Sequence, residues 1–476
     1  MLRSGLIIAS LLISVINAAG QSVQPLKNAA PDGAQLTFQL TDGRVLAQGF
    51  NNTDWWVLTP DDKGKYVNGT WKQVASPPAG YSPIAMASQV LADGRVLIEG
   101  GEYNYGKFAL TNLGAVYDPV KNTWTKLTPP RGWVNIGDSP SSVMPHGDFA
   151  IGNKLTEKIA LLDPSTMRWR FLGATGKHDF NAEEGWTLLP DGSVLTVDVK
   201  DNPHAERYVI TRGEWLDAGS TVVNLQGPPL CCGCTHYPPD NKCYYPPGEV
   251  GPALLMPDGT VFATGALHSG ETKAHTAIYT PGSNSWAAGP DFPDGDQAGD
   301  EFASLLPNGH ALVEGNSGIL YEFDGKTLTA EPVNAGSASL MLLPSGFVLV
   351  GGFEIYSSNG TYQDSWRPTI TGYPGTLARG STYTISGSQF NGLSQANAFG
   401  DELQSSTNYP LVRIFNIASG HVIYARTHDH SSMAVATGNL TVSTQFDVPA
   451  NAETGASSLV VVANGIPSHP VSVTVK

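Results

Sequence analysis

The sequence predicts an all-β chain: a seven-bladed propeller followed by an immunoglobulin-like β-sandwich. One phrase recurs seven times, a short apolar run, a two-residue turn with glycine second, and another apolar run. The turns are Asp42-Gly43, Asp93-Gly94, His146-Gly147, Asp191-Gly192, Asp258-Gly259, Asn308-Gly309 and Ser345-Gly346. Thr187 to Val197 reads TLLPDGSVLTV, and Ala253 to Gly265 reads ALLMPDGTVFATG. Asp-Gly and Asn-Gly supply the positive φ that tight turns require, so each copy is expected to be a β-hairpin. The intervals are 51, 53, 45, 67, 50 and 37 residues, and a period near 50 with four short strands is the kelch pattern. A second mark accompanies it. An aromatic or leucine stands seven residues before a tryptophan at Tyr117 and Trp124, Leu162 and Trp169, Tyr208 and Trp215, and Tyr279 and Trp286. These are expected to pack blade on blade, as repeat architectures need. Gly100-Gly101 and Gly351-Gly352, with Gly265 alone in the fifth blade, let one backbone approach its neighbour closely.

Composition agrees with an all-β protein rich in turns. Of 476 residues, 41% are apolar and only 14% charged, with 53 Gly and 34 Pro, which argues against coiled coil and disorder. The net charge of −15 disfavours nucleic acid and anionic membranes, because phosphate binding needs Lys and Arg.

In chain order, residues 1–20 read as a secretory signal peptide. Arg3 precedes an apolar run from Leu6 to Ile16, then Ala18, Ala19 and Gly20. The run is too short to span a bilayer. Sequons at Asn51, Asn68, Asn359 and Asn439 fit a eukaryotic secretory route and an extracellular destination. Residues 21–366 hold the repeat. All four cysteines, Cys231, Cys232, Cys234 and Cys243, lie in CCGCTHYPPDNKC inside the long fourth interval. Two disulfides stapling a Pro-rich loop are expected in an oxidising compartment. A tetrahedral zinc set of Cys231, Cys234, Cys243 and His236 is the alternative. Composition changes at Arg367-Pro368, and residues 367–476, with short alternating strands and no hairpin repeat, predict the sandwich.

With these parts in order, the chain resembles the galactose oxidase and glyoxal oxidase superfamily. FGDELQSSTNYPLVRIFN (Phe399 to Asn416) and GHVIYARTHDHSSMAVATG (Gly420 to Gly438) are similar to that superfamily's last domain. The resemblance implies one copper held by two tyrosines and two histidines, with one tyrosine cross-linked to a cysteine. The sequence departs from that set. It has no Tyr-His dipeptide, Gly299 and Asp300 occupy the axial place, and Ala85 and Met86 stand where the cross-linked tyrosine belongs. Only His428 or His430 has a counterpart. A tyrosyl-radical copper centre is therefore not expected.

Carboxylates stand in place of those ligands. Asp138, Glu183 and Asp300 lie eight residues before the first turn residue of their repeats, with Glu184, Glu249 and Glu301 nearby. Each should begin the innermost strand of a blade, so they are expected to ring one mouth of the axis. Crowded carboxylates repel, which raises some pKa values and sets up acid and base roles; they can equally hold a divalent cation through oxygen. The structural alternative is that they cap blade edges and bind channel water. Following the resemblance, Arg413, Arg426, His428 and His430 are expected at the same mouth as substrate-binding residues. Trp186 or Tyr103 would give an aromatic face for a sugar. The function expected is a part in oxidative conversion of a small oxygenated metabolite or sugar, without a copper radical or beside a separate oxidase, as in fungal secondary metabolism. A glycoside hydrolase or polysaccharide lyase, or a carbohydrate- or protein-binding propeller, are the rivals, because fold does not fix function.

Overall fold

In the computed structural model, described for residues 22–228, 235–237, 242–244, 248–336 and 339–476, each glycine turn joins two strands of an antiparallel sheet. The first six sheets each take four strands from one stretch of chain. They open with the inner strands Leu36–Gln39, Ala87–Val90, Ser141–Val143, Thr187–Leu188, Val250–Leu255 and Ala303–Leu305. The seventh starts at Leu340–Leu342, and its fourth strand is Ser22–Pro25 from the other end of the chain, paired with Glu354–Ser357. Inner strands one and two, two and three, four and five, five and six, and six and seven are in contact, and the seventh returns to the first, so the sheets surround a common axis. Among the described residues no α-helix occurs, and no helix is long and apolar enough to cross a membrane.

All seven turn glycines have positive φ. The turns are wider than the two-residue form expected, however. In the first, Gly43 N donates to Leu40 O and Leu40 N to Arg44 O, so glycine alone takes the left-handed conformation. The preceding Asp acts through its carboxylate, which accepts the amide two residues on, as in Arg95 N to Asp93 Oδ1 (3.0 Å) and Thr260 N to Asp258 Oδ1 (2.9 Å). That local bond is the physical reason for Asp or Asn in front of Gly.

The tryptophans lie on outermost strands directly opposite their partners, Tyr117 facing Trp124 and Tyr279 facing Trp286. Three of their indole N–H groups reach the sheet before, as where Trp124 Nε1 donates to Ala75 O (2.8 Å) and Trp286 Nε1 to Ala218 O (2.9 Å), while that of Trp215 meets no partner. Those three tie sheet to sheet. At Gly100 (φ +82°) an added Cβ would collide with the Gly137 carbonyl at the edge of the next sheet.

From Thr369 onward one nine-stranded sheet bends round its own core of Leu377, Ile385, Val412, Phe446 and Val461. Strand Val422–His428 serves both halves: residues 422–425 pair with 412–415, and 426–428 with 445–447. This unit rests on the turn ends of the inner strands, where Thr427 N donates to Thr41 O and Met433 N to Pro145 O.

Between its strands the unit sends residues 391–409 down the axis. Asn397–Ala398 pairs with Ala303–Leu305, and Tyr409 OH donates to Gln39 O. Ser88 Oγ donates to Gln404 O (2.9 Å), and Gln395 links Ser142 Oγ (3.2 Å) to Leu188 N (2.8 Å). Asn397 Oδ1 accepts from Leu342 N (3.0 Å), and Gly400 lies against Val250 O. Every inner strand thus touches this one segment, which turns back at 399–403.

Candidate functional site

The tip of that segment meets the carboxylates. Oxygens of Asp138, Glu183 and Asp401 lie within 4.8 Å of one another, and so do oxygens of Asp300, Asp401 and Glu402. Asp401 is common to both groups. Glu249 and Glu102 complete the surroundings, each electrostatically coupled to Asp401. Backbone conformation aims two of these side chains: Glu183 and Asp300 have φ of +56° and +54°, a strained setting that persists only where surrounding structure enforces it. Gly400 admits the tip, since a Cβ there would lie 2.7 Å from Asp300 Oδ1.

Among the described residues one cation faces these acids. Lys154 Nζ, almost wholly buried, binds Glu183 Oε1 at 2.6 Å and also Asp138 Oδ2. Burial pushes the Glu183 carboxyl up to about 7, with Lys154 opposing and Asp401 and Glu102 reinforcing. Burial likewise holds Asp138, Asp300 and Glu402 well above the ordinary carboxylate range. Glu249 is raised by burial and by Glu183 and Asp300. Glu102, Glu249 and Asp300 are half-buried and form the wetter side.

Glu184 and Glu301 do not join this group. Chain direction turns them away from their neighbours Glu183 and Asp300. Glu184 accepts from Lys177 Nζ (2.9 Å), a fully buried ammonium that also binds Asp179 (2.7 Å) and Glu206 (2.8 Å). Glu301 Oε1 accepts from Asn316 Nδ2 (3.3 Å), and its carboxyl is pushed up to about 8 by burial and Glu314.

The residues expected from the second domain lie at the opposite end of the inner strands, a correction to their placement. Arg426 Nη2 donates to Asp93 O (2.8 Å), and His430 N to Ala92 O (3.2 Å), both beside a glycine turn. His428 contacts Asp429 and Asp447, and Arg413 sits by Tyr424. The physical reason is that their strands stop at the turn surface, whereas the 391–409 segment alone penetrates. Trp186 is likewise corrected: it is buried, 6.2 Å from Trp215, inside a core rather than on a face. Tyr103 is half-exposed beside Glu102 and packs edge-on against Phe108.

The residues do not fit the copper centre that the resemblance implies. Ala85 and Met86 offer no ligand, and Asp300 offers oxygen only. The axial donors are carboxylates and one lysine, a hard set unlike the imidazole and phenolate of a copper site. Reading the sequence missed Asp401, Glu402, Lys154 and Glu102. Asp401 and Glu402 stand inside the very phrase that carried the resemblance; Lys154 left no sequence signal. The disulfide and zinc expectations for Cys231, Cys232, Cys234 and Cys243 fall outside the described residues, since at Cys243 only the backbone is described. All four sequon asparagines are exposed.

No family model matches the chain, and no curated protein matches it. Among solved structures it is similar to a fungal alcohol oxidase of the AA5 family in complex with copper, at 12% identity over 97% of this chain and 100% of that one, with a TM-score of 0.49. It is also similar to a streptogramin B lyase, at 12% identity over 71% and 96% with a TM-score of 0.46. A catalytically inactive virginiamycin B lyase from Staphylococcus aureus with quinupristin gives 11% identity over 71% and 98%, also at 0.46. Likenesses this distant carry no argument about activity or ligand.

Proposed function

We propose that this chain is a secreted, galactose-oxidase-like kelch protein whose axial centre does proton-transfer chemistry on a small oxygenated metabolite or sugar. In this reading it carries no copper radical, and where the conversion is oxidative a separate oxidase moves the electrons. The proposal includes removal of residues 1–20, a seven-bladed propeller over 21–366, an immunoglobulin-like domain over 367–476, two disulfides among Cys231, Cys232, Cys234 and Cys243, and glycans at the four sequons.

The observation that supports it is Glu183 beside Lys154, Asp138 and Asp401. A carboxyl poised near neutral pH can both give and take a proton, which is the requirement for general acid–base work. Lys154 is placed to stabilise negative charge that develops on a substrate oxygen near Glu183. Oxygens of Asp138, Glu183 and Asp401 stand within 4.8 Å of one another. Tyr103 and Glu102 would meet the ligand at the wetter side.

The test is a screen of the purified secreted protein against alcohols, aldehydes, phenols and uronic-acid sugars. Peroxide is measured alongside solvent-deuterium exchange and product formation, with and without a partner oxidase. Exchange or product without peroxide is expected, and Glu183→Gln should lower it by about 10²–10⁴-fold, the usual worth of a general acid–base group. Peroxide made by the protein alone after copper loading, or unchanged turnover in Glu183→Gln, would overturn the reading.

A further inference from the structure

The two carboxylate groups that share Asp401 are neutralised unequally. Asp138 and Glu183 hold the Lys154 ammonium between them. On the other side, among the described residues, no Lys, Arg or His side chain pairs with Asp300, Asp401 or Glu402. Asp401 and Glu402 are 1% and 4% exposed. Asp401 Oδ2, Asp300 Oδ1 and the neighbouring Glu249 Oε2 are buried and accept no hydrogen bond. An unmet buried polar atom is costly, and Asp300 and Asp401 both belong to the group whose carboxylate oxygens lie within 4.8 Å of one another.

We propose that Asp300, Asp401 and Glu402, with Glu249 beside them, bind a divalent cation of the calcium type. Every donor is a carboxylate oxygen, which selects a hard ion over copper or zinc. The number of carboxylates, drawn from separate strands and one irregular segment, suits calcium's adaptable shell better than magnesium's strict octahedron and retained waters. Lys154 is the built-in cation of the first group and the metal its counterpart in the second, with Asp401 between them. The cation shares the axial centre with the acid–base chemistry proposed above, but its binding stands without that activity.

The experiment uses the full secreted protein, treated with chelator and titrated calorimetrically with CaCl2, MgCl2, MnCl2 and CuCl2 at pH 7. Thermal melts are recorded alongside. Calcium should bind stoichiometrically and raise Tm, and Asp401→Asn should weaken it by roughly tenfold or more. Asp300→Asn, a milder change at the rim, repeats the test should Asp401→Asn fold poorly by circular dichroism. Asp364→Asn, on the exposed surface, should bind as wild type does. The proposal falls if calcium gives neither heat nor a Tm shift, or if both variants bind it normally. It falls equally if the particular protonated-carboxyl infrared band that Asp401→Asn removes persists in the wild-type protein at saturating calcium, since Asp401 and Glu402 then share a proton instead. Glu183→Gln separates the two claims: lost turnover with calcium binding intact upholds both, and unchanged turnover with calcium bound removes only the acid–base role.

Discussion

His430 lies in a setting that makes its proton costly. Its ring stacks on Tyr409 at 5.9 Å and 5°, its Nδ1 bonds Thr444 Oγ1 (2.9 Å), and its Nε2 meets no partner. Burial lowers its pKa to about 3, helped by His428 and Arg426 and opposed by Asp429. The unfolded chain therefore binds more protons than the folded one between about pH 3 and 6.5, so this residue's contribution is lost as pH falls through that window. From pH 7 to 4.5 the loss should reach about 2–3 kcal/mol. Asp198, Glu331 and Glu301, held by burial at about 7, 7 and 8, pull the opposite way, because their contribution is lost as pH rises toward those values. The wild-type profile mixes both signs. Urea unfolding of His430→Gln against wild type at the two pH values isolates the histidine, and parallel profiles would refute its role.

The regular strands follow from local chemistry, and the element that completes the site does not. A turn such as Leu40 to Arg44 announces itself, because glycine supplies the φ and the preceding Asp the side-chain bond. The outer-strand tryptophans are as legible, since their spacing is that of directly opposed residues across a hairpin. The 391–409 segment has no such period. Ser394 to Asn408 is mostly polar and reads as an exposed loop, yet its side chains are spent on distant backbone atoms. Asn397 is the clearest case. Its Oδ1 accepts from Ser304 Oγ and Leu342 N, both at 3.0 Å, while its Nδ2 donates to Ser405 O at 3.1 Å. Leucine fills much the same volume and meets none of these groups. Asn397→Leu should therefore cost about 2–4 kcal/mol in chemical denaturation, and should loosen the tip that carries Asp401. A loss below about 0.5 kcal/mol would mean that the segment is held by its apolar contacts alone. The same blindness hid Lys154, one lysine among many until Asp138 and Glu183 closed on it.

At the scale of the molecule, the ring of sheets and the C-terminal unit are mutually dependent. The ring closes by pairing Ser22–Pro25 with Glu354–Ser357, a contact more than 300 residues apart in sequence, and its centre is filled by a segment that arrives later still. Phe399 packs on Phe302 at 4.7 Å, Leu403 N donates to Met86 O, and Tyr409 and Leu411 join the main core. Removing residues 367–476 would strip these side chains from the axis and leave inner-strand polar atoms, Gln39 O and Leu188 N among them, without their partners. It would also take away Asp401 and Glu402, so Lys154 would face only Asp138 and Glu183 and the second carboxylate group would cease to exist. A chain ending at Trp366 should therefore fail to reach a cooperatively folded state: the yield of folded protein should collapse, and what is recovered should melt broadly and digest rapidly under limited proteolysis. Supplying residues 367–476 as a separate chain should restore a sharp transition, because the contacts are non-covalent and the segment enters from the open turn end. If the truncated chain instead melts sharply within a few degrees of the full protein, the ring is self-sufficient and the axial segment serves only to deliver the acids.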